Sequence, residues 1–288
     1  MASAAPRSIL FVPGLAADKF AKAAASEADS LVLDLEDSVP ANAKDEACVS
    51  VRRMLEQGAG GKPLWVRVNA LDTGRTLKDL AAVIPARPFG IVLPKSRGPA
   101  DLLRISHYLD ALEEAAGGAH DRTRILLIAT ELGAALFDIG RYGGVTERLW
   151  GLTWGAEDLA ADVGARVNRV NGRYTEPFRL GRSLVLHAGA AAGVPVYDTV
   201  CVELDDPRLL QAECEEARRD GFAGKIAIHP RHIGAINAAF TPSEQELAWS
   251  HAIIAAFEAN PSAGALRLEG KMIDRPHLRL ARRLLGYE

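Results

Sequence analysis

The chain has 288 residues, 48% hydrophobic and 25% charged, with a formal net charge of −3 at neutral pH. That balance describes a soluble globular protein with a large core. It excludes the concentrated basic face that nucleic-acid binding needs, and no apolar run reaches the roughly 18 residues of a membrane span. Three cysteines, Cys48, Cys201 and Cys214, are odd in number, far apart and without a CxxC pair, which argues against a disulfide framework or a structural zinc site. The opening MASAAPRSILFVPG is too short in its apolar part for a signal sequence and reads as a strand. A cytoplasmic setting is expected.

In chain order, short apolar runs predict strands at 8–14, 30–37, 63–69, 89–95, 124–130, 148–155, 194–200 and 225–230. Helical patterns fall between and after them, at 18–28, 43–57, 76–84, 100–116, 133–142, 156–164, 178–192 and 207–221. This alternation predicts an α/β fold, a (β/α)8 TIM barrel. A doubly wound open sheet is the alternative, but VPGLAAD follows the first strand and contains no GxGxxG. The barrel is expected over 1–240 and a C-terminal helical extension over 241–288. In the extension, Ser243 followed by Glu246 starts a capped helix at 241–260. A break, the segment RLEGKMIDRP and a basic terminal helix follow. The extension is surplus to a barrel and suits docking on a neighbouring subunit.

Active sites of such barrels lie at the C-terminal strand ends. Strand two ends in Asp34, Glu36 and Asp37, strand three in Arg67 and Asn69, and strand four in Lys95. Strand five ends in Thr130 and Glu131, strand six runs into Glu157 and Asp158, strand seven holds Asp198, and strand eight ends in His229. Each has a plainer reading. Asp37 and Asp158 could be helix N-caps, Arg67 and Lys95 partners in structural ion pairs, and His229 a packed histidine. The joint pattern favours function, because carboxylates crowded into one mouth repel unless protons or a cation compensate. Oxygen donors without cysteine suit Mg²⁺ before Zn²⁺. The planar fork of Arg67 suits a substrate carboxylate. Trp150 and Trp154, four apart, are expected on one packing face, and His107 and His120 are expected to be exposed. Cys201 has no histidine partner in the sequence and is not read as a nucleophile.

RSILFVPG, LVLDLEDSVP with Lys44 after it, VRVNALDT, GIVLPK, LTWGAEDLAADVG, GFAGKIAIHPRHI and GKMID together resemble the citrate lyase β-subunit-like branch of the HpcH/HpaI aldolase superfamily, over about residues 7–285. The resemblance implies a Mg²⁺-binding barrel that assembles as a homotrimer or a multiple of one. Glu131 and Asp158 would be the metal ligands, with Glu36 and Asp37 beside them, and Arg67, Lys95 and Asn69 would bind substrate. Asp274 of GKMID would transfer a proton from a neighbouring subunit. Two departures stand out. Strand five reads LLIATELGAAL, so aligning from upstream places Ala129 where the family has Glu, whereas aligning on GAAL places Glu131 there. Residues 129 and 131 share strand parity, and Glu131 is the favoured ligand. After the first Pro-Gly turn the chain reads LAAD, where relatives often have Arg, and Lys19 and Lys22 are the replacement charges.

The expected activity is a Mg²⁺-dependent carbon–carbon lyase, or a thioesterase, acting on a CoA thioester such as malyl-CoA or citramalyl-CoA to give a 2-oxo acid and an acyl-CoA. The alternatives are a citrate lyase β subunit acting on an acyl-carrier-protein thioester, a CoA-independent aldolase, and a non-enzymatic binding subunit.

Overall fold

The computed structural model describes residues 5–118 and 122–287; His120 lies outside them, and His107 is exposed. The elements, in order, are β1 (Ser8–Pro13), α1 (Ala17–Ala24), β2 (Ser30–Asp34), α2 (Lys44–Gln57), β3 (Leu64–Arg67), α3 (Thr76–Val83), β4 (Gly90–Leu93) and α4 (Pro99–Ala115). Then come β5 (Arg124–Ile128), β6 (Leu149–Thr153), α5 (Ala156–Val163), β7 (Arg169–Val170), β8 (Arg173–Tyr174), α6 (Glu176–Ala192), β9 (Val196–Asp198), α7 (Pro207–Asp220), β10 (Gly224–Ala227) and α8 (Ile233–Phe240). The last elements are α9 (Glu244–Ala259), β11 (Ala265–Leu268), β12 (Lys271–Asp274) and α10 (Arg275–Leu284).

Eight parallel strands close in the order β1-β10-β9-β6-β5-β4-β3-β2, a (β/α)8 barrel. The strands read as unbroken apolar runs because both faces are dry. Alternate residues fill the barrel, including Ile9, Val32, Val92, Leu126 and Ile226, and their neighbours meet the helices. The end where the strands begin is plugged by aromatic rings. Trp150 stacks on Tyr197 at 5.4 Å and lies 4.8 Å from Trp65, which meets Phe89 edge-on at 5.0 Å. The plug leaves no room at Gly90, where a Cβ would sit 2.2 Å from the Trp65 ring.

Local structure departs from expectation in four places. Residues 133–142 form two short 3-10 turns, Gly133–Phe137 and Ile139–Arg141, not a helix. Gly133 and Gly140 lower helix propensity there, and Phe137 is 91% exposed, so the segment lacks the packing that sustains a short helix. Next, Ile125 pairs with Leu149 but Leu126 with Gly151, which leaves Trp150 as a bulged extra residue. The bulge reverses strand parity, so Trp150 enters the barrel while Trp154 turns outward and donates its indole N–H to Asp198 at 2.8 Å. The two tryptophans therefore do not share a face. Third, β7 and β8 form an antiparallel hairpin. Its turn residues, Asn171 and Gly172, both have positive φ, as a tight hairpin requires.

Fourth, Asp198 is not at the mouth. Tyr197 points into the barrel, so the next residue must point into the helix layer. There Lys225 Nζ meets Asp198 Oδ2 at 2.9 Å and Glu213 Oε2 at 3.1 Å, and Arg182 Nε lies 3.4 Å from Asp198 Oδ1. Burial pushes the Asp198 carboxyl up, but the charges of Lys225 and Arg182 outweigh it and hold it below the usual range.

The described residues divide into two compact units, Pro6–Ala238 and a second made largely of residues 239–287. In the second, α9 carries the expected capping box: Ser243 Oγ accepts from the Glu246 N–H at 3.2 Å, and Glu246 Oε2 accepts from the Ser243 N–H at 2.7 Å. The GKMID segment is not helical. It is strand β12, paired with β11 across a Glu269–Gly270 turn of positive φ, and Ile273 packs with Ile253, Phe257 and Leu278. No helix among the described residues is long and apolar enough to cross a membrane.

Two stability predictions follow from this packing. Gly90→Ala should cost about 1–3 kcal/mol in urea denaturation, because Trp65 has nowhere to move. Lys225→Met should cost about 3–5 kcal/mol, because two buried carboxylates lose their counter-ion. Asp198 titrates lower in the folded than in the unfolded protein. Its stabilisation is therefore present above about pH 4 and is lost as pH falls through the folded value. Acid denaturation curves should show less of that loss in Lys225→Met than in wild type.

Candidate active site

The site begins at the last residue of β2. Asp34 is buried, and its carboxylate accepts Arg67 Nε at 2.7 Å and Nη2 at 2.8 Å, a two-pronged pair. The same oxygens accept the backbone N–H groups of Glu36 (2.9 Å) and Ser38 (3.1 Å), which folds the chain back on itself directly after the strand. Lys44 Nζ donates to the carbonyls of Leu35 (2.8 Å) and Glu36 (2.7 Å) and fixes the same loop. Burial pushes the Asp34 carboxyl up, and Arg67 overrides that and keeps it ionised, below the usual range. Asp34 thus holds Arg67, and the turn aims the next two acids.

Those acids meet the two cations of the neighbouring strands. Arg67 Nη1 lies 3.1 Å from Glu36 Oε2 and 3.6 Å from Asp37 Oδ2. Lys95 Nζ lies 2.6 Å from Glu36 Oε1, 3.3 Å from Asp158 Oδ1 and 3.6 Å from Asp37 Oδ1. The backbone N–H of Lys95 donates to Glu131 Oε2 at 2.5 Å. Asp158 sits in the first turn of α5, directly after β6. Glu131 is 2% exposed, and it fits there because Gly155 has no side chain: a Cβ at that position would approach the Glu131 Cγ to 2.7 Å. Burial and then the charge of Asp158 raise the Glu131 carboxyl well above the ordinary range. Burial also raises Glu36, against the pull of Arg67 and Lys95.

The fold therefore gathers Glu36, Asp37, Arg67, Lys95, Glu131 and Asp158 from five strand ends. It treats Asn69 differently. The Asn69 amide donates to Leu35 O at 3.0 Å and to the buried Asp79 at 2.6 Å, so both amide donors are spent on joining two loops rather than presented to a substrate. His229 takes the plainer role, its Nδ1 accepting the Arg231 N–H at 3.2 Å. Asp274 lies in the second unit at the start of α10, with Oδ1 2.5 Å from His277 Nδ1. That contact holds its carboxyl below the usual range. Lys19 and Lys22 are exposed on α1. Gly155 and Asp79 were not expected from the sequence. Gly155 had a readable signal in its place before the Glu157–Asp158 pair, whereas Asp79 lay in an ordinary helical pattern.

A cation fits this mouth. Glu131 and Asp158 supply adjacent oxygen donors, and Glu131 is ionised only against burial and its neighbour's charge. Glu36 Oε2 is buried and makes no hydrogen bond. Among the described residues no group of three or more His, Cys, Asp or Glu side chains is arranged to hold a metal. A metal here would rest on two carboxylates, with water or substrate oxygens completing its shell, the habit of Mg²⁺.

Comparison with known proteins identifies the family. Residues 7–230 match the family model described as HpcH/HpaI aldolase/citrate lyase. A mitochondrial citramalyl-CoA lyase from Rattus norvegicus is 30% identical over 97% of this chain and 85% of its own. A (3S)-malyl-CoA thioesterase from Cereibacter sphaeroides is 33% identical over 97% of this chain and 93% of its own. Among solved structures, the CitE protein of Mycobacterium tuberculosis in complex with magnesium, acetoacetate and coenzyme A superposes with a TM-score of 0.77 at 30% identity, covering 99% of this chain and 98% of that one. By the family model over residues 7–230 and by relatives 30% and 33% identical over nearly its whole length, the chain belongs to the HpcH/HpaI aldolase/citrate lyase family.

Proposed function

We propose that this protein is a Mg²⁺-dependent carbon–carbon lyase acting on a 3-hydroxy-3-carboxy acyl-CoA of the malyl-CoA or citramalyl-CoA type. The observation that carries the reading is the convergence of Glu131, Asp158, Glu36 and Asp37 with Arg67 and Lys95 at one barrel mouth. Relatives bearing lyase and thioesterase names on such substrates support it, as does the related structure with magnesium and coenzyme A.

Glu131 and Asp158 would hold the metal. Bound there, Mg²⁺ would polarise the carboxylate and hydroxyl of the hydroxy-acid part and stabilise the negative charge that develops on its oxygen. Arg67, aimed by Asp34, orients the substrate carboxylate through Nη1. Glu36, whose carboxyl burial holds above its ordinary range, accepts the hydroxyl proton, and Asp37 stands beside it. The bond between the hydroxyl-bearing carbon and the carbon next to the thioester carbonyl then breaks. The products are a 2-oxo acid and the enolate of the acyl-CoA. Protonation of the enolate carbon completes the reaction, from water or from the Asp274–His277 pair brought by a neighbouring subunit of a trimer.

Purified protein incubated with malyl-CoA and with citramalyl-CoA, in Mg²⁺ or EDTA, is resolved by liquid chromatography. Acetyl-CoA formed only with Mg²⁺ is the expected result. Free CoA instead would assign the thioesterase reaction, and intact substrates in every condition would defeat the reading. Asp158→Asn should lower the Mg²⁺-dependent rate by at least about 10²-fold, the scale of a lost charge-stabilising group, with its thermal midpoint in EDTA close to that of wild type.

A further inference from the structure

Lys95 is placed unusually for a lysine. It has φ of 51°, the left-handed region that residues other than glycine seldom enter. That backbone turns the N–H toward Glu131 while the side chain reaches the opposite wall of the mouth. One residue thereby contacts four carboxylates: Glu131 through its N–H, and Glu36, Asp158 and Asp37 through Nζ. The Nζ position matters most. It is shared between Asp158, assigned above to the metal, and Glu36 and Asp37, which are not. A dication bound to the Asp158 carboxylate would stand only a few ångströms from the ammonium, and two cations on one carboxylate repel. The lysine stem is flexible, and Glu36, at 2.6 Å, already offers the tighter seat.

We propose that Lys95 is a built-in competitor for the metal site. Its ammonium shares the Asp158 carboxylate, moves fully onto Glu36 and Asp37 when a divalent cation binds, and in doing so sets the metal affinity lower than Glu131 and Asp158 alone would give. The inference rests on reading those two acids as the metal-holding pair.

The test is a titration of chelator-treated protein with Mn²⁺, free metal being read by electron paramagnetic resonance. Lys95→Gln and Lys95→Met should bind Mn²⁺ at least about tenfold more tightly than wild type, about 1.4 kcal/mol. Lys95→Arg, which keeps the charge, should stay near wild type. Equal or weaker binding by the neutral variants, with wild type binding normally, overturns the role of Lys95 and leaves the metal reading intact. No Mn²⁺ binding by any form overturns both.

Discussion

Carboxylates cannot crowd a partly buried barrel mouth unless cations stand among them, and the arrangement here is organised around that constraint. The Asp34–Arg67 pair comes first. It is buried and two-pronged, and the desolvation it costs is offset by hydrogen bonds to both carboxylate oxygens from the backbone as well. Asp34 ends its strand not to touch a ligand but to pin the guanidinium and turn the loop. With Arg67 fixed, Glu36 and Asp37 have one cationic wall, and Lys95 from the next strand end supplies the other. Glu131 and Asp158 have the least cationic cover of these acids, and for that reason we propose them as the seat of a divalent cation.

The barrel separates this polar end from two other regions. At the end where the strands begin, four aromatic rings close the interior and demand glycine at position 90. Outside the barrel, Lys225, Asp198, Glu213 and Arg182 form a second charged group, sealed under α6 and α7. The two charged groups resemble each other in composition. They differ in exposure: the outer one is closed and nearly balanced, whereas Asp37 and Asp158 in the mouth keep contact with solvent. Accessibility, more than the presence of perturbed acids, separates a site from a structural network.

Much of this was legible from residue order. Strands buried on both faces announce themselves as continuous apolar runs, so the eight barrel strands and most of the helices could be placed before any coordinates. Placing charges at strand ends needs only the rule that such barrels work at one rim, which is why Glu36, Arg67, Lys95, Glu131 and Asp158 could be named. Two of the departures share one cause: facing. Asp198 was counted at the rim because it ends a strand, yet side-chain alternation turns it outward. Trp150 and Trp154 were paired by parity, and one bulged residue reversed it. The Asn171–Gly172 hairpin is legible from its turn residues, whereas short strands obscure the β11–β12 hairpin.

The sequence by itself determined the alternation of elements, the chemical character of the mouth and the family, since these depend on local periodicity and on motifs in a given order. Only the tertiary structure decided which acids meet which bases. Residues 34, 67, 95, 131 and 158 are far apart along the chain, and only closure of the barrel brings them within contact distance. It also decided that Glu131 reaches the mouth. That depends on the empty space over Gly155 and on the left-handed turn at Lys95, neither of which is a property of any short stretch of residues.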